Sequence, residues 1–321
     1  MLRQTVDRLA GLIAPENTWV ITNAEQVEAV REICPEIPAS QIVAEPVGRD
    51  TAPAVALAAL LVQRSVGDGA FAMLPADHVI HNGKSFRADL EKAFQAAEKE
   101  KVIATIGIAP TFPSTGYGYI QAEAVDGATI LPVQRFVEKP DEETARSYLS
   151  DGGYFWNGGI FVWRPSTVLD AVETHCPALH SSFSSIRDCL AAGEAIDTAL
   201  PREYPQLEKI SIDYAIMEKA DNVVMIRSTF DWDDVGSWPA IERHFPGDEE
   251  DNILQGTVFT EESTRNLVYT EGDHLVGLIG VDDLIVIHTK DATLVCPKDR
   301  AEDVKKLVKK IEAQKDAQKY L

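Results

Sequence analysis

Gly69-Ala70-Phe71-Ala72-Met73-Leu74-Pro75-Ala76-Asp77-His78 decides the fold of this 321-residue chain. The run before Pro75 is small or apolar and too short for a helix, so it reads as a buried strand. Proline cannot extend a ladder, so the strand stops there and Asp77 is pushed out beyond its carboxyl end. Ligands of open α/β sheets bind outside that end. Helical patterns flank the stretch at 54–66 and 85–101, and strands are expected at 19–22, 41–43 and 102–108. A further helix is expected over 26–33, and the spacing of Leu2, Val6, Leu9 and Ile13 places the start of the chain in a helix. Strands alternating with helices predict an α/β fold with a Rossmann-like mixed, mostly parallel sheet and helices on both faces.

Beyond Thr111 the pattern turns β-rich, with strands at 116–119, 133–137 and 159–163 and helices near 165–175 and 212–219. Pro246-Gly247-Asp248-Glu249-Glu250-Asp251 is polar and breaker-rich and marks the expected boundary between a domain over 1–246 and a small β-rich domain over 247–321. The tail, 301–320, reads as an amphipathic Lys-rich helix with Val304, Leu307, Val308 and Ile311 on one face. Such a face packs on its own domain or against a second subunit, so a homodimer is one expectation.

Lys plus Arg number 30 against 51 Asp plus Glu, a net charge of −21. That balance makes nucleic acid and anionic membrane surfaces poor generic partners, and a phosphate-bearing ligand would need a local cation or a divalent metal. Cys34, Cys176, Cys189 and Cys296 form no C-x-x-C pair or zinc-finger spacing and read as reduced thiols of a cytoplasmic protein. No apolar run approaches the roughly 20 residues of a membrane helix, and charges interrupt the first nine residues, unlike a signal peptide.

Five further motifs accompany the Asp77 stretch. They are Glu45-Pro46-Val47-Gly48-Arg49-Asp50-Thr51-Ala52-Pro53, Gly116-Tyr117-Gly118-Tyr119-Ile120, Phe136-Val137-Glu138-Lys139-Pro140, Asn157-Gly158-Gly159-Ile160-Phe161 and Trp232-Asp233-Asp234-Val235-Gly236-Ser237-Trp238. In this order they resemble the sugar-1-phosphate nucleotidyltransferase family, and within it the guanylyltransferases that act on mannose-1-phosphate. The resemblance runs from about Leu2 to the C-terminus. It implies GTP and mannose-1-phosphate as substrates and Mg²⁺ as cofactor, with a small C-terminal β-helix-like domain that the short β segments after residue 251 fit.

Nucleotidyl transfer asks a protein mainly for position and electrostatics, and Mg²⁺ takes one or two carboxylates, with water and phosphate filling the rest. By resemblance Asp77 and Asp234 hold that metal. Lys139 supplies a point charge for the sugar phosphate and acts in catalysis, and Gly116, Tyr117, Glu138 and Asn157 complete the hexose pocket. Glu45, Gly48, Arg49, Asp50 and Thr51 form the nucleotide loop, where a carboxylate can accept from both N1–H and N2–H₂ of guanine. Asp50 stands where the family usually has Asn, an isosteric change that adds charge. Each motif has a plainer reading beside this one. Asp77 alone is a helix cap, Glu138 and Lys139 a surface ion pair, Gly116–Tyr119 an edge strand, and Asp50 a helix N-cap. Asp231 and Asp233 read as solvated loop carboxylates and His78 as a support for its loop. Ser211 reads as a cap, Asp213 and Tyr214 as braces, and Arg227 as a weak candidate to orient Asp234.

The family's signature, a strand leading into G-G-x-G-T-R-L-x-P-L-S and then P-K, has no match here. Its backbone amides would cradle the triphosphate. Met1-Leu2-Arg3-Gln4-Thr5 aligns just after it, so about 20–30 residues are missing, judged by the size of a βαβ unit. A chain without them is expected to lose one sheet strand and to turn over poorly. It is then either a shortened ordinary enzyme or a non-catalytic sugar-nucleotide-binding homologue. Asp231-Trp232-Asp233 as a glycosyltransferase D-x-D would leave the other motifs unexplained. Some family members carry a fused isomerase domain, and that activity is not expected here.

Overall fold

Helices and strands alternate from the start of the chain in the computed structural model, which describes residues 1–123, 127–236 and 238–320, the side chains of 239, 315, 316 and 318 aside. The order is α1 (Leu2–Leu9), β1 (Val20–Asn23), α2 (Val27–Ile33), β2 (Ile42–Glu45), α3 (Thr51–Val66), β3 (Phe71–Met73), α4 (Gly83–Lys99), β4 (Ile103–Ile108), β5 (Tyr119–Ala122), β6 (Ile130–Val137), α5 (Glu142–Asp151), β7 (Tyr154–Trp163), α6 (Pro165–His175), α7 (Pro177–Ala191), α8 (Ile196–Glu203) and β8 (Val223–Arg227). Contacts divide the chain into two units, Met1–Trp232 and Asp233–Leu321.

The first unit holds a six-stranded mixed sheet in the order β3-β7-β4-β8-β6-β5, with β5 also paired to β7. The pairings make β3, β4, β5 and β8 run one way and β6 and β7 the other. Side chains alternate across the sheet with the period of two that strands impose. On β7, Phe161 and Trp163 join one core with α3, α6 and α7, while Ile160 and Val162 join a second with α4 and α5. α3 is Ala-rich because it is sandwiched: nine residues between Ala52 and Leu61 are buried. No helix is long and apolar enough to cross a membrane, among the described residues.

β1 and β2 form a separate parallel pair, and among the described strands β1 pairs only with β2 and β3 only with β7. A cavity of about 460 Å³ is lined from both strands, by Val20 and Ile21 on one side and Phe71 and Met73 on the other, with Val6 of α1 and Leu61 of α3 also on its wall.

The second unit contains α9 (Trp238–Ile241), β9 (Ile253–Gln255), β10 (Thr257–Glu261), β11 (Leu267–Thr270), β12 (Leu275–Ile279), β13 (Leu284–His288), β14 (Thr293–Pro297) and α10 (Val304–Glu312). β9, β11 and β13 stack in parallel, β10 and β12 form a second parallel pair, and β14 turns back against β13. Ile253, Leu267, Ile285 and Ile287 fill the interior. The tail is less helical than its periodicity predicts: α10 covers nine residues between two 3₁₀ segments, and Leu307 stays exposed.

Candidate active site

Asp77 reaches its place because the loop after β3 is pinned on three sides. Thr5 Oγ1 of α1 donates to Ala76 O at 3.5 Å, and Arg8 Nη2 to His78 O at 3.1 Å. His78 is buried, and its Nδ1 accepts from Trp232 Nε1 at 3.1 Å. Gly159 lies beneath, at φ +65°, where a Cβ would stand 3.3 Å from Pro75 and 3.6 Å from His78. The Asp77 carboxylate is exposed and takes no hydrogen bond among the described residues. An oxygen donor left open in this way fits a hard divalent ion, which prefers oxygen and needs few protein ligands. Among the described residues no group of three or more His, Cys, Asp or Glu is set to hold a metal.

The Asn157-Gly158-Gly159 run makes a bulge. β4 and β7 pair Thr105 with Phe161 but Gly107 with Asn157, so extra residues loop out on β7. Bulges of this kind re-aim a side chain. Asn157 Oδ1 accepts from Gly159 N at 3.1 Å and from Thr105 Oγ1 at 3.4 Å, while its Nδ2 donates to Asp213 at 3.0 Å. One amide hydrogen is left for a ligand. Beside it, Glu138 Oε1 lies 3.1 Å from Lys139 Nζ; the carboxylate is 8% exposed and the ammonium 59%. Gly118 is needed here because a Cβ would sit 2.5 Å from Glu138 Oε2. Tyr117 stacks its edge on Trp156 and Trp232, with ring centroids 5.1 and 5.3 Å away. Gly116 N donates to Ser114 Oγ.

Charge in this cluster is crowded. Burial pushes the Glu138 carboxyl up against the pull of Lys139. Burial, with the Glu138 charge behind it, pushes Asp213 up to about 7. Asp213 opens a single π-helical turn, Asp213–Met217, an irregularity often found at functional sites.

The loop over 45–53 is stitched to the segment after α8. Tyr204 Oη donates to Glu45 Oε1, and Arg49 Nη2 to Pro205 O. Ala52 N donates to Ile210 O at 3.1 Å, and Ile212 N to Thr51 Oγ1 at 2.8 Å. Asp50 is the N-cap of α3, accepting from Thr51 N at 2.8 Å, and Gly48 is exposed. Nothing in the spacing of the sequence pointed to Tyr204.

One expectation in the Asp231–Trp238 stretch is corrected. Asp231 is an exposed loop carboxylate, as expected, and it also accepts from His81 N at 2.8 Å and Asn82 N at 2.7 Å. Burial alone would raise its carboxyl, but those amides hold it below the ordinary value. Asp233 is buried and clamped by Arg243 at 2.5 Å and His244 at 3.0 Å. At Asp233 cationic donors take the place of water. Asp234 accepts from Gly236 N at 3.2 Å; it belongs to the second unit and Asp77 to the first. Ser237 lies outside the described residues.

A family model described as nucleotidyl transferase matches residues 1–251, and one described as MannoseP isomerase/GMP-like beta-helix domain matches 256–311. The chain belongs to the nucleotidyl transferase family. This nucleotidyl transferase is 39% identical over 319 residues to the mannose-1-phosphate guanylyltransferase of Klebsiella pneumoniae, an alignment that covers 96% of this chain and 66% of that protein. The same figures hold for a mannose-1-phosphate guanylyltransferase of Escherichia coli. The chain therefore spans 66% of the length of these curated relatives. A crystal structure from Thermus thermophilus, described as a mannose-1-phosphate geranyltransferase, superimposes with a TM-score of 0.82 at 36% identity, covering 97% of this chain and 89% of that one.

Proposed function

We propose that the chain transfers GMP from GTP to mannose-1-phosphate, giving GDP-mannose and pyrophosphate. A phosphate oxygen of the sugar phosphate attacks the α-phosphorus in line, and the bond from that phosphorus to the bridging oxygen of the leaving pyrophosphate breaks. The observation behind the reading is the meeting of Gly118, Glu138, Lys139 and Asn157 in one cluster, an exposed ammonium beside hydrogen-bonding groups suited to hexose hydroxyls. The names of the relatives point the same way.

In this reading Lys139 binds the sugar phosphate, and Glu138, Asn157, Tyr117 and Gly116 orient the hexose. Glu45, Gly48, Arg49, Asp50 and Thr51 meet the nucleotide. Within the first unit Asp77 would hold Mg²⁺, which when bound neutralises charge on the phosphates. A pyrophosphate-release assay with Mg²⁺, mannose-1-phosphate and each of the four NTPs tests the reading. Release with GTP, abolished by chelator, is the expected result. A folded sample that binds GDP-mannose but releases no pyrophosphate would replace it with the binding-only reading.

A further inference from the structure

Tyr204 lies outside every motif quoted above, yet its hydroxyl meets the carboxylate on which the nucleotide reading depends. Its ring is fully buried in the main core of the first unit. Its Oη donates to Glu45 Oε1 across 159 residues of sequence. The bond is one of four that tie the 45–53 loop to residues 204–212, together with Arg49 to Pro205 O, Ala52 N to Ile210 O, and Ile212 N to Thr51 Oγ1. We infer that Tyr204 is a positioning residue for base selection: its hydroxyl fixes the Glu45 carboxylate in the orientation that reads a purine donating from both N1–H and N2–H₂. The inference rests on the guanine reading of Glu45 proposed above.

A carboxylate offers about four lone-pair sites, and Tyr204 uses one, which leaves enough for two guanine donors. Fixing one oxygen to a side chain locked in the core removes rotational freedom that would otherwise be lost on binding. The same bond governs charge. Burial pushes the Glu45 carboxyl up, and the Tyr204 hydroxyl pulls it back down. A protonated Glu45 would present a donor to guanine N1–H, donor against donor. The titratable and charged neighbours of the pair are few: Arg49 acts on Tyr204 from the loop itself. Without the hydroxyl the carboxyl rises further, so guanine recognition should fail at a higher pH as the solution is acidified.

Tyr204→Phe keeps the ring and removes only the hydroxyl. The test measures dissociation constants of GTP and of ITP, the same purine without the 2-amino group, by calorimetry from neutral pH down to the acid limit at which the fold persists, with melting temperature recorded alongside. The expected result is a GTP-over-ITP preference in the wild type that falls about tenfold in Tyr204→Phe, with GTP binding lost at higher pH than in the wild type. Glu45→Gln should lose the preference without the pH dependence, and adding Tyr204→Phe to it should change the ratio no further, because the two groups act as one unit. An unchanged GTP/ITP ratio in Tyr204→Phe, or strictly additive effects in the double variant, would reduce Tyr204 to packing and overturn the inference. A wild type that does not prefer GTP to ITP overturns it together with the guanine reading. Binding that behaves as expected in a chain releasing no pyrophosphate would instead sink only the proposed activity.

Discussion

The Asn252–Asn266 stack of the second unit and the Glu45–Glu138–Asp213 region of the first both hold polar side chains out of water, with opposite chemistry. Asn252 and Asn266 are almost completely buried and neutral. Asn252 Oδ1 accepts from Asn266 N at 2.9 Å and from Asn266 Nδ2 at 3.0 Å; Asn266 Oδ1 accepts from Leu284 N, and its amide also reaches Val281 O. Donors and acceptors close on one another, as a structural network requires. The first unit instead buries carboxylates: burial pushes Glu45, Glu138 and Asp213 up, and at Asp213 the Glu138 charge adds to it. Groups held away from their ordinary ionisation by burial and like charge cost stability where they stand, which is why such groups cluster at functional sites. A network that stabilises is complete in itself; a network that binds is left wanting charge and donors.

The sharpest way to break that contrast is to open the closed network. Asn266→Ala removes one side chain that serves three partners and leaves Leu284 N, Val281 O and part of Asn252 without them inside a buried stack. The expected cost is about 2–4 kcal/mol, since each orphaned buried group is worth roughly 1–3 kcal/mol. Denaturant unfolding, followed by circular dichroism and by the total fluorescence of the five tryptophans, checks it. A loss below about 1 kcal/mol would mean that water replaces the side chain and that the stack is not the closed network described.

The opposite intervention relieves the crowded region. Asp213 titrates at about 7 in the fold against 3.8 when unfolded. The unfolded state therefore gives up its proton first. Stability is greatest below about pH 4 with respect to this group and falls as pH rises through the window from 3.8 to about 7. Asp213→Asn keeps an acceptor for Asn157 Nδ2 and abolishes the charge. It should stabilise the protein by about 1–3 kcal/mol at pH 8 and by almost nothing at pH 3.5, flattening the stability–pH curve across that window. Equal stability of variant and wild type at pH 8 would show that Asp213 is ionised there without penalty.

These contrasts were unevenly legible in the sequence. The alternation of strands and helices followed from periodicity, and Asp77 from a proline-stopped apolar run, because both are local signals. The β7 bulge was half visible: Gly158-Gly159 marks it, yet the strand begins at Tyr154, since the apolar Tyr154-Phe155-Trp156 run pairs with β5 before the bulge. Tyr204 and Asp213 were out of reach as active participants. Their partners, Glu45 and Asn157, lie 159 and 56 residues away, and only the packing of the first unit brings them together. Asp233 was misread for the same reason, because an Asp in a polar loop looks solvated until the cations that face it are known.

The smallest effect should come from Asp50→Asn, which tests whether charge alone separates the two regions. Asp50 sits at φ +68°, ψ −173°, a backbone conformation strained for Asp and Asn alike, so the exchange leaves that strain unchanged, and it caps α3 through Thr51 N at 2.8 Å. Asn and Asp are near-equal caps, and the lost charge at a helix N-terminus is worth only about 0.3–1 kcal/mol, so stability should fall by less than about 1 kcal/mol. The charge itself reaches further: behind burial, the largest cause, Asp50 adds to the upward push on both Glu138 and Asp213. Removing it should move the Asp213 titration downward, seen as an acid-ward displacement of the stability–pH curve. It should also tighten GTP binding about two- to five-fold, because a tetra-anion then meets one fewer carboxylate. Weaker GTP binding in the variant would mean that the Asp50 carboxylate itself accepts a ligand hydrogen bond or a cation, and the crowding of charge in this region would then be a contact surface in use rather than a cost awaiting relief.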